Sequence, residues 1–211
     1  MTSLDIVHQE STLVVVNKPS GLLSVPGRGP DMQDCVVNRL KSLFPNCIEQ
    51  PSVHRLDMDT SGLLVLAVTK EAQRNLAIQF QDRKVTKTYV ALVEGIIDEG
   101  SGEIELAFRL DPENRPYQVY DPVQGKLGTT RWRKLGIEDG CTRVEFTPTT
   151  GRTHQLRLHA AHKLGLGFPI VGDRLYGSGT APGQLKLHAA FLSFDHPETG
   201  GRLSFEMPPG F

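Results

Sequence analysis

The sequence predicts an α+β fold with a mixed, largely antiparallel central sheet that is flanked by helices and loops. Three observations lead to this class. Strand-type runs predominate, helical runs occur singly between them, and several neighbouring runs are joined by turns typical of antiparallel pairs. This irregular order favours α+β over a doubly wound parallel sheet. No change of composition divides the 211 residues, so we expect one domain over residues 1–211.

The first predicted elements are a strand, a loop and a helix. Thr12–Val16 is a β-branched run that ends at Asn17-Lys18-Pro19, and Ser20–Pro30 is a loop rich in glycine and proline. Apolar residues at helical spacing then predict a helix over Asp31–Phe44, with Asp31 as its N-cap.

The next elements are a buried strand, a capped helix and a second strand. Gly62–Val68 is apolar on both faces, which is typical of a central strand. Thr69 is placed to cap a helix that runs to about Asp82, because apolar residues four apart form one face of this segment. Thr86–Ile97 follows as the next strand.

The C-terminal half is predicted to be mostly strand. Asp111–Gly128 contains three prolines and two glycines, so we expect an irregular excursion there. The remaining predicted elements are a hairpin of Thr129–Ile137 and Cys141–Thr147, a helix capped by Thr153 that ends near Gly165, and a final strand pair of Leu185–Phe194 and Arg202–Met207.

Composition is that of an ordinary globular protein, with 38% hydrophobic and 22% charged residues. No apolar run approaches the roughly 20 residues of a membrane helix. The N-terminus lacks the layout of a signal peptide. The three cysteines show no paired spacing, so we expect reduced thiols in a cytoplasmic protein and no zinc site.

The distribution of charge says more about possible partners than the net charge of −1. Between Lys126 and Arg174, nine Lys or Arg residues and four Asp or Glu residues give a net charge of +5. One basic face can hold a polyanion on an otherwise neutral protein, because the local field sets the contact. An ordinary solvated surface explains the same charges equally well.

The most informative polar cluster is His54-Arg55-Leu56-Asp57, which stands directly before a predicted buried strand. Burial raises the pKa of a carboxyl group, and a nearby guanidinium lowers it by favouring the anion. A carboxylate that acts as a nucleophile or base at neutral pH therefore needs an arginine, and Arg55 and the remote Arg157 are the candidates. A buried Arg–Asp pair that only holds the sheet is the alternative.

Asp57 and Asp59 together raise a second interpretation. Two residues apart on an extended chain, they would share a face at roughly 6.5–7 Å, which lies within the range of inverting glycosidases. The segment Asp59-Thr60-Ser61-Gly62 also has the composition of a turn, in which an aspartate usually caps backbone N–H groups. We therefore predict a structural role for Asp59.

A third cluster, Gly151–His159, combines arginines with histidines near a predicted helix start. Only His159 and His162 have the spacing of metal ligands on a helix, and no carboxylate is near them in sequence, so we expect no metal site. Arg152 and Arg157 beside a helix N-terminus are instead typical of an anion or phosphate site.

Five segments, in this order, resemble the RluA-type pseudouridine synthases. The segment HRLDMDTSGLLVLA (54–67) resembles the family signature. The other four segments are NKPSGLLSVPG (17–27), KTYVALV (87–93), GRTHQLRLH (151–159) and LKLHA (185–189). The pattern HRLD-x-x-TSG is specific. The resemblance covers the chain from about residue 12 onwards. It implies the catalytic fold of this family, with a cleft across the sheet, and isomerisation of uridine in RNA to pseudouridine without a cofactor or metal.

The resemblance also implies roles for individual residues. Asp57 matches the catalytic aspartate, which either attacks the sugar or base as a nucleophile or removes a proton from the ribose. Tyr89 matches the tyrosine that stacks near the target base, Arg157 the arginine that pairs with the aspartate, and Arg55 a residue that occupies the space of the flipped base. The residues expected to bind substrate are His54, Thr60, Arg152, His154, Gln155 and His188.

The implied partner is a structured RNA, either a 23S rRNA hairpin, a tRNA anticodon stem-loop, or both. Because the family segments begin within the first ~20 residues, we expect no N-terminal S4 RNA-binding domain, and we expect a cytoplasmic monomer with no membrane contact. Two other function classes stay open: a glycoside or nucleoside hydrolase that uses Asp57 and Asp59, and a non-catalytic RNA-binding module on the basic segment. The loops expected to select the substrate are Gly27–Asp31, Asp111–Gly128 and Tyr176–Gly183.

Overall fold

A computed structural model describes residues 3–211 of the chain. The chain forms two compact units: the first comprises Met1–Lys87 and His188–Gly210, and the second comprises Thr88–Leu187 and Phe211. Three α-helices and ten strands are found among the described residues, and the strands pair mostly antiparallel. These observations confirm the predicted α+β class. No described helix is long and apolar enough to cross a membrane.

The elements have the following bounds. The strands are β1 (Asp5–Gln9), β2 (Leu13–Lys18), β3 (Ser61–Ala67), β4 (Thr86–Glu94), β5 (Ser101–Leu110), β6 (Gln118–Tyr120), β7 (Lys126–Glu138), β8 (Cys141–Pro148), β9 (Leu187–Asp195) and β10 (Arg202–Glu206). The α-helices are α1 (Val36–Leu43), α2 (Lys70–Gln81) and α3 (Gln155–Ala161), and Pro30–Met32 forms a short 3-10 turn.

The first unit is built on the strand order β1-β2-β3-β9-β10. All neighbours pair antiparallel except β3 and β9, which run parallel where Ser61 lies opposite His188 and Gly62 opposite Ala189. The buried side chains of β2, β3, α2 and β9 form its core, which comprises Leu13, Val15, Leu63, Val65, Ala67, Ala72, Leu76, Leu192 and Phe194. This packing fixes the start of β3, directly after the HRLD segment.

Of the two α-helices in the first unit, α2 agrees with the sequence prediction and α1 begins later than predicted. Helix α2 is confirmed, because the Thr69 hydroxyl accepts the Ala72 N–H at 3.2 Å and the helix ends before Asp82. Helix α1 begins only at Val36, so the predicted cap Asp31 is wrong: Pro30–Met32 forms its own turn. The N-cap is Cys35, whose sulfur accepts the Asn38 N–H at 3.4 Å.

The second unit is built on the antiparallel strand order β4-β8-β7-β5-β6. The predicted hairpin is confirmed: Asp139 and Gly140 connect β7 to β8 with φ values of 48° and 77°, which suit the twist of a tight hairpin. Its core contains aromatic and aliphatic residues of the strands together with Leu156, Leu158 and Ala160 of α3.

Helix α3 begins later than predicted, and Thr153 is not its cap. Its N-cap residue is His154, which has a left-handed backbone with φ 55° and no side-chain cap bond within the described chain. The side-chain oxygen of Gln155, the first residue of the helix, accepts the Arg152 N–H at 3.0 Å and so ties the preceding loop to the start of α3. Strands β1, β5 and β6 were not predicted, although the alternation of buried Ile104, Leu106 and Phe108 in β5 is a period-two signal.

Candidate active site

The HRLD segment of the first unit forms an irregular loop that is pinned on both sides of Asp57. Before it, Leu56 and the Ser24 hydroxyl are joined by two hydrogen bonds, of 3.1 Å and 2.7 Å. After it, the Met58 carbonyl accepts the Gly21 N–H at 2.9 Å, and the Thr60 N–H donates to the Asp57 carbonyl at 3.1 Å. These bonds leave the backbone at the half-buried Asp57 little freedom to move, so the origin of its side chain is held at a defined place.

Lys18, the last residue of β2, is fully buried below this loop. Its ammonium donates to three carbonyl oxygens, those of Pro19 at 3.0 Å, Leu22 at 2.7 Å and Met58 at 2.9 Å. Burial lowers the pKa of Lys18 to about 7, and the negative charges of Asp57 and Asp59 oppose that lowering. Lys18 therefore ties the loop to the sheet and supplies a positive charge that acts on both aspartates.

Arg55 does not take the place expected from its spacing. Its side chain is exposed, and within residues 3–211 it forms no ion pair, with Asp57 or with any other carboxylate. The reason is local: the chain is not an extended strand at residues 53–57, so positions two apart do not share a face. In the first unit, Lys18 supplies the charge that we expected from Arg55.

The two aspartates have different surroundings. Asp57 is half-buried, whereas Asp59 is 4% exposed and its backbone carbonyl accepts a hydrogen bond from the Ser20 hydroxyl. The turn that contains them is closed by backbone bonds. Asp59 therefore belongs to the packed base of the loop, and Asp57 is the carboxylate that the loop presents.

The two histidines predicted to bind substrate in this unit are engaged in the scaffold. His54 stacks on Phe80 with 4.3 Å between ring centroids, and its Nε2 accepts the Val65 N–H at 3.1 Å. Burial lowers the pKa of His54 to about 3, with a smaller contribution from Lys87, so the ring is neutral. These contacts fix the loop immediately before Asp57.

His188 of β9 is held at both ring nitrogens. Its Nε2 lies 3.0 Å from the Met207 carbonyl and must carry the proton, so its Nδ1 accepts the Ser61 hydroxyl at 2.9 Å. Burial lowers the pKa of His188. Thr60, the third predicted substrate residue of this unit, is buried beside them at 3% exposure. His188 and Ser61 thus anchor the end of the Asp57 loop to β9.

In the second unit, Arg157 of α3 forms a buried ion pair with Asp173. The guanidinium donates from Nε to Oδ2 at 2.8 Å and from Nη2 to Oδ1 at 2.6 Å, and the exposed fractions of the two side chains are 3% and 0%. Burial raises the pKa of Asp173, but the hydrogen bonds and charge of Arg157 outweigh it and hold the pKa below its usual range. A bidentate pair of this kind fixes the plane of the guanidinium.

Asp173 is itself held in place by the loop that follows it. Its Oδ1 also accepts the Leu175 N–H at 2.8 Å and the Tyr176 N–H at 3.1 Å. The Tyr176 ring lies 5.4 Å from the Arg157 guanidinium carbon, and the Tyr176 hydroxyl lies 3.0 Å from His154 Nδ1. Sequence reasoning missed both Asp173 and Tyr176, because nothing near them in sequence marks them as partners of α3.

The remaining predicted residues of the second unit have mixed surroundings. Tyr89 of β4 lies opposite Phe146 of β8 and packs half-buried against the core. Gln155 is buried, and its amide donates to the Thr129 carbonyl at 3.1 Å and the Thr130 hydroxyl at 2.9 Å. Arg152 is exposed. Gln155 therefore braces α3 against β7, while Arg152 is available to a partner.

Each unit thus contains part of the predicted set. The first holds Asp57 with Arg55, His54, Thr60 and His188, and the second holds Arg157 with Tyr89, Arg152, His154 and Gln155. Within residues 3–211, no group of three or more His, Cys, Asp or Glu side chains is placed to hold a metal ion.

Comparisons with known proteins place the chain among enzymes of RNA modification. Residues 12–162 match the family model described as RNA pseudouridylate synthase. The chain is 47% identical to the dual-specificity RNA pseudouridine synthase RluA of Pasteurella multocida (strain Pm70) and 43% identical to that of Escherichia coli (strain K12), over 99% of this chain and 94% of each relative.

Two solved structures show the same fold. Human RNA Pseudouridylate Synthase Domain Containing 1 matches with a TM-score of 0.79 and 31% identity, over 99% of this chain and 84% of that one. Human RNA Pseudouridylate Synthase Domain Containing 4 matches with a TM-score of 0.75 and 25% identity, over 97% and 88% of the two chains.

Proposed function

The chain belongs to the RNA pseudouridylate synthase family and is an RNA pseudouridine synthase, and we propose that Asp57 is its catalytic group. The observation that carries the role of Asp57 is the construction of its loop. Backbone bonds hold the residues on both sides, and the buried Lys18 supports the turn from below. A carboxylate on a backbone held in this way can act on a substrate without rearrangement of the loop.

We propose that the substrates are uridines in two kinds of RNA, a 23S rRNA hairpin and a tRNA anticodon stem-loop. Relatives that are 41–47% identical over almost the whole chain are named dual-specificity RNA pseudouridine synthases, which supports two substrates for this chain. The net charge of +5 between Lys126 and Arg174 suits a polyanion.

The target uridine has to leave its stack before its glycosidic bond can be reached, at a cost of a few kcal/mol. The exposure of Arg55 and its lack of an ion pair within residues 3–211 support its proposed role as the side chain that fills the vacated space. Tyr89 is proposed to stack on the flipped uracil, and such stacking returns about 1–3 kcal/mol per base.

The reaction then rearranges bonds within one nucleotide. The bond between ribose C1′ and uracil N1 breaks, the base turns and a bond forms between C1′ and C5. The proton on C5 then passes to solvent, and N1, which has lost its bond to the sugar, takes up one proton from solvent. Product and substrate are isomers, so the protein's own groups suffice. Asp57 acts either as a nucleophile or as the base that removes the 2′ proton. A primary kinetic isotope effect with deuterium at C2′ identifies the base, and its absence identifies the nucleophile.

Arg157 is proposed to assist the reaction, as the match of its segment to the family implies, and its buried pair with Asp173 fixes where its guanidinium lies within the second unit. The bidentate pair orients the guanidinium and limits its freedom. His54 and His188 in the first unit and Gln155 in the second are proposed to act by holding their neighbours in place, because their packing and hydrogen bonds are with the protein itself. Arg152 stays a proposed phosphate contact because it is exposed.

Tritium release tests the function directly. RNA labelled at uracil C5 loses its tritium when the base rejoins through that carbon, so purified protein should release label from an rRNA hairpin and from an anticodon stem-loop. No release from either RNA, by protein shown to be folded, would overturn the function. Release of free base or sugar would instead favour the hydrolase interpretation, which the comparisons do not support.

We further propose that the protein is a cytoplasmic monomer. Size-exclusion chromatography with light scattering and fractionation of cells that express it test these two points.

A further inference from the structure

An exposed pair of aromatic rings lies on the second unit and has no part in the reaction proposed above. Tyr120, at the end of β6, packs on His162, directly after α3, with 5.0 Å between ring centroids and an angle of 38° between ring planes. Tyr120 is 40% exposed in the folded chain. A tyrosine in a hydrophobic core is shielded from solvent, so this ring pair is not explained by core packing.

The pair is held firmly in place by its neighbours. Tyr120 lies opposite Phe108 of β5, and Phe108 packs edge-on against His159 of α3 with 5.8 Å between centroids. His162 Nδ1 accepts the Leu164 N–H at 3.2 Å, so its Nε2 carries the proton. Burial and the charge of Lys163 lower the pKa of His162, which keeps the ring neutral at pH 7. The surface is thus rigid and offers one N–H donor.

Exposed apolar side chains are frequent in the segment that carries Tyr120. Of the twelve exposed large hydrophobic residues that the structure describes, five lie between Leu110 and Leu127. Val123, three residues after Tyr120, is 88% exposed, and Leu164, two residues after His162, is 55% exposed. A concentration of this kind marks an interaction surface rather than scattered surface residues.

The charged groups of this surface are cations without carboxylate partners in the described chain. Lys126, Arg152 and Lys163 are exposed, and none forms an ion pair within residues 3–211. Arg152 Nε lies 3.5 Å from the Leu127 carbonyl, which places this guanidinium at the start of β7. The carboxylate of the nearby Asp121 is paired with Arg109, whose Nε lies 2.6 Å from Oδ2. The three cations therefore leave the surface with a net positive charge.

We propose that Tyr120, His162, Lys126, Arg152 and Lys163, here called the Tyr120 platform, bind an unpaired nucleotide of the substrate RNA outside the reacting uridine. The base would stack on the aromatic pair, and the cations would contact its flanking phosphates. Aromatic faces beside cations are the recurring means of binding single-stranded nucleic acid, because every base has a π-face. This inference rests on the proposed function, since it assumes an RNA substrate with an open loop.

The stacking part is tested by Tyr120→Ala and Tyr120→Phe in the full chain. Loss of the ring should raise the Kd for an anticodon stem-loop about tenfold, while Phe keeps the ring and should bind within about twofold of wild type. In tritium release the loss should appear in KM rather than in kcat. Ile137→Ala is the control, because Ile137 is 53% exposed on the same unit but lies beside the β7–β8 hairpin.

The cation part is tested by the salt dependence of binding. Each of Lys126→Gln and Lys163→Gln should reduce the slope of log K against log salt by about 0.7–0.9, as expected for one lost phosphate contact. Arg131→Gln is the matched control, because Arg131 is 72% exposed on β7 but is paired with Glu103 at 2.8 Å. Unchanged slopes for both lysine variants would overturn the phosphate contacts.

These measurements separate the platform from the catalytic proposal. Wild type that binds RNA in a Tyr120-dependent manner but releases no tritium would refute the function and leave the platform supported. Normal tritium release with unchanged RNA binding by Tyr120→Ala would refute the platform alone. A wild-type dimer that Tyr120→Ala converts to a monomer would also refute it, because the surface would then join two copies of the chain.

Discussion

Two buried charges, Lys18 and Asp173, hold the groups proposed to work on the substrate. Lys18 satisfies three carbonyl oxygens beneath the Asp57 loop, and Asp173 holds the guanidinium of Arg157 at two points. An unpaired charge at such depth costs several kcal/mol, so each is acceptable only with its partners in place. At the scale of single residues, the proposed site therefore depends on two side chains that are fully buried.

Asp173→Asn tests how far Arg157 depends on its anchor. The amide keeps the volume of the side chain and one oxygen for the backbone donors, but it removes the charge of the bidentate partner of the buried guanidinium, at a cost of about 3–5 kcal/mol in unfolding free energy. We expect kcat/KM for tritium release to fall about 100-fold in protein verified as folded, because small displacements at a site have effects of this size.

Glu103→Gln is the control for Asp173→Asn, since it breaks an exposed pair with Arg131 and should change unfolding free energy by less than about 1 kcal/mol. Full activity in folded Asp173→Asn would show that Arg157 needs no anchor.

Arg55→Ala separates catalysis from folding. The side chain is exposed and unpaired within the described residues, so its loss should change unfolding free energy by less than about 0.5 kcal/mol. We expect kcat/KM to fall at least tenfold on a structured stem-loop, because extrusion of a stacked base costs a few kcal/mol. The loss should be smaller on an unstructured oligonucleotide. Equal losses on both RNAs would argue against the wedge role.

Among the elements, the start of β3 sets the position of the Asp57 loop. Gly62 has φ 108°, and a Cβ at this position would lie within 2.6 Å of the Ala189 backbone nitrogen. Only glycine permits this backbone conformation together with so close an approach of β9. The glycine of the TSG triplet is therefore explained by the parallel pairing of β3 and β9.

Gly62→Ala should destabilise the protein by about 3 kcal/mol or more, because backbone strain is added to a clash with a neighbouring strand. Gly29→Ala is the matched control: Gly29 has φ 91°, but a Cβ there would meet no described atom within 4 Å, so only backbone strain of about 1–3 kcal/mol applies. Urea unfolding measures both variants. Equal losses would mean that the approach of β9 does not matter.

The elements that were predicted well are those whose signals are local. Helix α2 has a capping threonine and an apolar stripe, and the β7–β8 hairpin has its Asp-Gly turn. Helix α1 was placed too early because Asp31 resembles a cap, while the chain from Gly27 to Met32 closes its own turn by hydrogen bonding. Strand β5 was not predicted, although apolar and polar residues alternate along part of it, as is typical of a strand with one buried face.

The candidate site could be predicted only in part for the same reason. The signature pointed to Asp57. The prediction that residues 53–57 are extended, however, assigned to Arg55 the positive charge near Asp57 that Lys18 supplies in the structure. The partnership of Arg157 with Asp173 joins a helix to a loop 16 residues later, and no periodicity reports such a contact. Long-range pairing of buried charges is set by tertiary packing, which a single sequence does not display.

At the scale of the whole molecule, two histidines with lowered pKa values, His54 and His159, make stability depend on pH. Burial lowers the pKa of His54 to about 3 and that of His159 to about 4, below the ordinary 6.5. Both are neutral in the fold but take up a proton on unfolding below pH 6.5. Their contribution is complete above about pH 6.5 and is lost as the pH falls towards 4.

The measurement is urea unfolding of wild type and His159→Leu at pH 7.5 and 5.0. Uptake of a proton on unfolding should lower the unfolding free energy of wild type by roughly 2 kcal/mol per histidine at pH 5.0. The fall in unfolding free energy between pH 7.5 and pH 5.0 should therefore be smaller by about that amount in His159→Leu. At pH 7.5 the variant should be at least as stable as wild type, because neither ring nitrogen of His159 has a hydrogen-bond partner among residues 3–211. An identical drop in both proteins would contradict the assignment.

The central claim is that one carboxylate, that of Asp57, carries out the isomerisation. Asp57→Asn tests it most directly, because the amide preserves shape but is neither a nucleophile nor a base. Asp82→Asn, at the exposed end of α2, is the control and should be fully active. We predict that Asp57→Asn binds stem-loop RNA normally while its tritium release falls at least about 100-fold. Release by folded Asp57→Asn at the wild-type rate would contradict the claim.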